Sequence, residues 1–149
     1  MKTLKGGRLR MSDSTQEITS EWLPKMDIKK DGKIVGIIEL VTVKGKKGVK
    51  TVKAKLDTGT DRTCVGYDLA AEVGLGPLVD TIKVRSASGK KPETHVLAEA
   101  EIIIHKQHFS LPVSLEDRSE MKYEVLIGRD LLERSIFLID PQKIIEDNI

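Results

Sequence analysis

From Ile34 onward the chain is a succession of short β-rich runs joined by short turns, and no helical stretch between them is long enough to serve as a crossover. Parallel α/β sheets need a dozen or more residues of helix between strands, whereas antiparallel strands close through tight turns. The spacing therefore excludes a doubly wound fold and predicts an all-β domain with one or two short helices. IVGIIELVTV runs into a turn bounded by Gly45 and Gly48 and then into VKTVKAKL, in which Val52, Ala54 and Leu56 share one face. This is a hairpin that delivers the chain into Asp57. Tyr67–Val73 has helical composition and is stopped by Gly74, Gly76 and Pro77. Further strands are expected over residues 81–85, 94–105, 109–115 and 123–127, a turn of helix over 129–134 and a last strand over 136–139.

The 149 residues suffice for one core, and 39% apolar with 32% charged residues is a globular composition. A net charge of +2 and five aromatic residues argue against a nucleic-acid partner, which needs a positive field and stacking platforms. The first 30 residues carry seven basic and four acidic side chains, so residues 1–33 read as a flexible basic arm preceding a domain over 34–149. Within the arm, Ser14 and Glu17 have capping-box spacing, and Ile18, Trp22 and Leu23 form a short apolar face before Pro24. Met11 opens a second candidate start. No apolar run has the length of a membrane span and MKTLKGGRLR lacks the core of a signal peptide, so a cytoplasmic location without a membrane partner is expected. The single cysteine, Cys64, forms no internal disulfide and reads as a buried structural thiol.

The sharpest chemical feature is Leu56-Asp57-Thr58-Gly59-Thr60, a carboxylate at the end of an apolar strand followed by hydroxyl, glycine, hydroxyl. Glycine there permits close backbone approach, and Thr58 is placed to brace the loop through a hydrogen bond. About 70 residues later Val125-Leu126-Ile127-Gly128-Arg129-Asp130 carries an apolar strand through glycine into a helix. Between them lies Val84-Arg85-Ser86-Ala87-Ser88-Gly89-Lys90. Together the three elements resemble the retropepsin-like aspartic peptidases, and KAKLDTGTDRT, MKYEVLIGRD and FLIDP are similar to a microbial branch of that group. That branch is often labelled an ATP-dependent zinc protease and is associated with ribosomal-protein glutamate ligases.

The resemblance implies a closed β-barrel of the acid-protease half-domain type and an aspartic endopeptidase acting on an extended peptide or protein. It implies Asp57 as catalytic acid, a flap formed by Arg85, Ser86, Ala87, Ser88 and Gly89, and loop support from Thr58, Gly59, Thr60, Asp61, Gly128 and Arg129. Thr58 would bridge subunits and Gly59 would offer its backbone to substrate. Two carboxyls sharing a proton are needed to activate water, and this chain holds one such loop, so the second comes from an identical chain in a homodimer. The competing reading is a non-hydrolytic peptide-binding or assembly module on the same fold, acting with a glutamate-ligase system.

No cofactor and no metal are expected. His95, His105 and His108 do not have zinc-motif spacing, and the Gly45 to Thr51 stretch lacks the Gly-Lys-Ser/Thr ending of a phosphate loop. Glu116 to Glu120 reads as a solvated loop, and Asp61 is expected to pair with Arg129 across two loops.

Overall fold

The computed structural model describes residues 34–85 and 91–145. The expected arm, residues 1–33, and flap residues Ser86, Ala87, Ser88 and Gly89 lie outside them. The elements in chain order are β1 (Ile34–Val35), β2 (Ile38–Lys44), β3 (Val49–Leu56), β4 (Cys64–Gly66), α1 (Tyr67–Val73), β5 (Leu78–Val84), β6 (Glu93–Ile104), β7 (Gln107–Glu116), β8 (Val125–Ile127), α2 (Arg129–Leu132) and β9 (Leu138–Ile139). Six of them close on themselves in the order β2-β3-β8-β4-β7-β6, with β6 returning to β2 and β5 attached outside the ring to β6. Closure leaves no free edge within those six strands, which is how a sheet of this size protects its backbone groups.

Alternation of side chains builds the barrel. On β2 every second residue from Glu39 to Val43 is buried, and its partner β3 supplies Ala54 and Leu56 to the same interior. The long β6–β7 hairpin adds Ala98, Ala100, Ile102, Ile104, Leu111 and Val113, and the three residues of β8 add Val125 and Ile127. Helix α1 closes one flank through Leu69, Ala70 and Val73. Its C-terminal end receives the β2–β3 turn, where Lys46 N–H donates to Gly74 O and Lys47 N–H to Val73 O, both at 2.9 Å. Those amides are spent on α1, so the turn is not a phosphate cradle.

Several elements differ from the sequence reading. The run beginning at Ile34 is two strands, because at Gly36 the chain turns to donate its N–H to Glu39 Oε2 at 2.7 Å. The strand expected at 81–85 starts at Leu78, and the one expected at 136–139 is reduced to Leu138–Ile139, which pairs in parallel with β1. Strand β4 was not anticipated. Residues 116–120 are also not a solvated loop throughout: Glu116 ends β7, and the buried Arg118 donates to Tyr123 O at 2.7 Å and to Glu116 Oε1 at 2.5 Å.

Glu39 occupies a core-facing position of β2 and is only 3% exposed. Its carboxylate takes three donors from separate parts of the chain: Gly36 N–H, His105 Nε2 at 2.9 Å and Lys143 Nζ at 3.1 Å. Lys143 donates as well to Ile34 O at 2.8 Å, so one buried charge ties β1, the β6–β7 turn and the C-terminal segment together. Burial raises the Glu39 pKa, but the donors outweigh it and the net direction is down. Because the folded value lies below the unfolded value of about 4.3, this stabilisation is complete above that pH and is lost as pH falls through the folded pKa. Glu39→Gln should therefore cost about 3 kcal/mol at neutral pH, the low end for breaking a buried pair, because Lys143 keeps access to water. Denaturant melts should show that cost shrinking below about pH 4, whereas an equal cost at pH 7 and pH 3 would exclude ionisation of Glu39 as its source.

Candidate active site

Strand β3 lies parallel to β8, with Leu56 opposite Ile127, so Asp57 and Gly128 leave the barrel side by side. Asp57 N–H extends the ladder by one bond to Ile127 O at 2.8 Å. The chain then turns within three residues, Thr60 N–H donating back to Asp57 O at 3.2 Å. Both carboxylate oxygens of Asp57 are held from inside the loop. Oδ1 accepts Gly59 N–H at 2.8 Å and Oδ2 accepts Thr60 Oγ1 at 3.1 Å. A Cβ at Gly59 would stand 3.2 Å from Oδ1, crowding this bond, so glycine suits the position. The hydroxyl that braces the loop is therefore Thr60 and not Thr58. The Thr58 side chain is exposed, and what it contributes to the loop is its carbonyl.

The second loop is knitted to the first by backbone and side chains. Arg129 N–H donates to Thr60 O at 2.8 Å and Asp130 N–H to Asp61 O at 3.1 Å. Arg129 spreads its guanidinium over both the Thr58 carbonyl, at 2.9 Å, and the Asp61 carboxylate. The expected Asp61–Arg129 pair thus forms, but on the surface, with side-chain exposures of 84% and 44%. The buried link was not singled out from sequence. Thr63 is fully buried; its hydroxyl donates to Asp130 Oδ1 at 2.8 Å and accepts Gly128 N–H at 3.1 Å, while its own N–H also reaches the Asp130 carboxylate. Gly128 has no room for a side chain, since a Cβ would lie 2.7 to 2.9 Å from three backbone atoms of Arg62. The signals present in sequence were Thr63 at the end of TDRT and an acid directly after Gly128-Arg129.

Beside the loop is a cleft of about 690 Å³, lined by Thr60, Arg62, Cys64, Ile82, His95 and Ser114. Arg85, the one described residue of the expected flap, also lines it. Its floor is polar: His95 Nδ1 lies 3.0 Å from Ser114 Oγ, and Nε2 lies 3.2 Å from Glu93. Cys64 is buried and contacts Arg62 O, and burial pushes its thiol up to about 12, so it is no thiolate nucleophile at neutral pH. The histidines lie against carboxylates, His95 against Glu93 and Glu116, His105 against Glu39 and His108 against Glu101. Among the described residues no group of three or more His, Cys, Asp and Glu side chains has a geometry that holds a metal ion.

A family model described as RimB-like, retropepsin-like aspartic endopeptidase RimB, matches residues 67–146. The chain belongs to the RimB-like family. The matched segment contains the β5–β6 strands, Gly128, Arg129 and Asp130, and Asp57 lies upstream of it. Among solved structures, EIAV protease in complex with the inhibitor HBY-793 is similar over 74% of this chain and 92% of its own, with a TM-score of 0.52 at 14% identity. A Legionella pneumophila protein of unknown function, Lpg0085 (DUF785), matches over 74% of this chain and 95% of its own, with a TM-score of 0.51 at 18% identity. No curated protein matches the chain. At these identities the likenesses establish the fold: a closed barrel of the retroviral-protease half-domain type, as the sequence resemblance implied.

The site's energetics follow from burial. The exposed Asp61–Arg129 pair should show a double-mutant coupling below about 1 kcal/mol when Asp61→Asn is combined with Arg129→Gln. Thr63→Val should cost more, about 1 to 3 kcal/mol, because it leaves the Gly128 amide and the Asp130 carboxylate short of a buried partner. Chemical denaturation of the four proteins and of Thr63→Val decides the order; a coupling larger than the Thr63→Val loss would reverse this ranking.

Proposed function

We propose that this protein is an aspartic endopeptidase of the retropepsin type, in which a water is activated between Asp57 and the Asp57 of a second, identical chain. The observation that carries the reading is the Asp57 loop: a carboxylate at a strand end, gripped on both oxygens by Gly59 and Thr60, beside a cleft of about 690 Å³. Membership of a family described as retropepsin-like aspartic endopeptidases supports the same activity. Two facing carboxyls share one proton, because like charges at such separation do not both ionise. One carboxylate then takes a proton from water as it attacks the peptide carbonyl, and the protonated partner donates to the carbonyl oxygen. The pair titrates as a unit.

In this reading Thr58, exposed on the outer side of the loop, meets the second subunit. The Gly59 amide is engaged by Asp57, which leaves the Gly59 carbonyl to the substrate backbone. Arg85 belongs to a flap over the cleft, together with Ser86, Ala87, Ser88 and Gly89. In this reading the substrate binds as an added strand, with backbone bonds giving affinity and side-chain contacts giving choice. Among the described residues no cluster of three metal-ligating side chains forms, and the Lys46 and Lys47 amides of the β2–β3 turn are bonded to the end of α1. Among the described residues no helix is long and apolar enough to cross a membrane.

Incubation with a protein extract, followed by mass-spectrometric mapping of new chain termini, tests the activity. Asp57→Asn should lower the rate by about 10²-fold or more while preserving the fold, since an amide keeps the shape but cannot exchange the proton. A chelator should leave the rate unchanged, and sedimentation should show a symmetric dimer. Undiminished cleavage by Asp57→Asn would remove the aspartic mechanism, and a fully active monomer would remove the shared dyad.

A further inference from the structure

A second cavity, of about 720 Å³, lies away from the Asp57 loop and has no part in the proposed reaction. Its apolar lining comes from Ile38 on β2, Val52 on β3, Tyr123 before β8, and Ile144 and Ile145 at the C-terminal end. Ile144 is 87% exposed, more than any other large apolar side chain among those described. Lys53 and Lys122 also line the cavity, with the Lys122 ammonium 5.6 Å from the centre of the Tyr123 ring. The one acid there, Glu124, turns its carboxylate toward Gly66. An exposed isoleucine beside a concave apolar surface of this size marks a surface that something covers.

The occupant is indicated by where the chain enters the barrel. Thirty-three residues precede Ile34, and the carbonyl of Ile34 accepts the Lys143 ammonium at 2.8 Å, one residue before Ile144. The N-terminal chain therefore arrives at the lip of this cavity. Residues 17–28, EITSEWLPKMDI, hold the densest apolar set in the arm: Ile18, Trp22, Leu23, Met26 and Ile28. They carry three acids, Glu17, Glu21 and Asp27, against Lys25, which is −3 plus 1, or −2, although the first 30 residues together are +3. An apolar, locally acidic segment complements an apolar groove bordered by Lys122. Twelve peptide links from Trp22 to Ile34 span up to about 40 Å when extended, so reach does not limit the contact.

We propose that residues 17–28 of this chain's own arm occupy the groove formed by Ile38, Val52, Tyr123, Ile144 and Ile145, with Trp22 as the principal anchor. The inference stands independently of the peptidase reading. Trp22 is the only tryptophan in the chain, so the full-length protein reports on it without labels. Its emission should be blue-shifted and shielded from acrylamide relative to the same protein in denaturant. Ile144→Glu, at an exposed position that does not bear on folding, should return both readouts toward the denatured values while far-UV circular dichroism is unchanged. Val52→Glu, inside the groove, should do the same, and hydrogen exchange checks that the barrel strands stay protected in each variant. Trp22 as exposed in the native protein as in denaturant would overturn the proposal. Shielding that survives both groove substitutions would place Trp22 elsewhere, and shielding lost on simple dilution would give the groove to the arm of a second copy; either result overturns the own-chain assignment.

Discussion

The insertion of β8 between β3 and β4 governs the rest of this structure. Strands β3 and β4 are consecutive in sequence, yet β8 lies between them in the barrel, hydrogen-bonded in parallel to one and antiparallel to the other. The connection from Leu56 to Cys64 must therefore cross the exit of β8. That crossing makes a residue without a side chain necessary at 128, where the Arg62 backbone passes over it. It also places Asp57 at the barrel end instead of in a hairpin, and brings the start of α2 against the loop so that its first amides meet Thr60 and Asp61. The candidate chemistry is a consequence of topology: a strand inserted between two neighbours forces an exposed crossing loop, and the acid sits at its first residue.

Charge and burial divide the work of holding that loop. Arg129 and Asp61 are the conspicuous pair, but water competes for both, and their contribution to stability is small. Thr63 and Asp130 carry less formal attraction and more consequence, because Thr63 is out of water and each of its polar groups has a defined partner. The role that remains to Arg129 is geometric. A planar fork spanning the Thr58 carbonyl and the Asp61 carboxylate fixes the outer rim of the loop in a way a single ammonium cannot.

Much of the barrel could be read from the chain because its long strands alternate. The stretches 38–44, 49–56 and 107–116 place buried and exposed residues on opposite faces, and the helix at Tyr67–Val73 stands between strand ends with glycine at its stop. What escaped was short or decided by distant partners. Strand β4 is three buried residues, Cys64, Val65 and Gly66, too few to display a period, and it exists because β7 and β8 flank it. Arg118 reads as solvated among acids, but the Tyr123 carbonyl and Glu116 draw it inward. At the candidate site Asp57, Gly59, Gly128 and Arg129 stood out as a pattern, whereas Thr63 and Asp130 did not. A threonine and an aspartate 67 residues apart carry no local sign that they will be joined.

The extent of the family match follows the same division. Residues 67–146 hold β8, the glycine gap and the Asp130 anchor, which form the receiving half of the crossing; residues 57–63 form the half that crosses. Neither half is complete alone. Without Gly128 the loop has no passage, and without Thr63 the Gly128 amide and the Asp130 carboxylate lose a shared partner in a place where water cannot substitute freely. A segment that keeps a glycine with no space for a side chain, next to an acid aimed at a threonine outside the segment, is shaped for a loop arriving from upstream. In this chain the loop that arrives begins with Asp57.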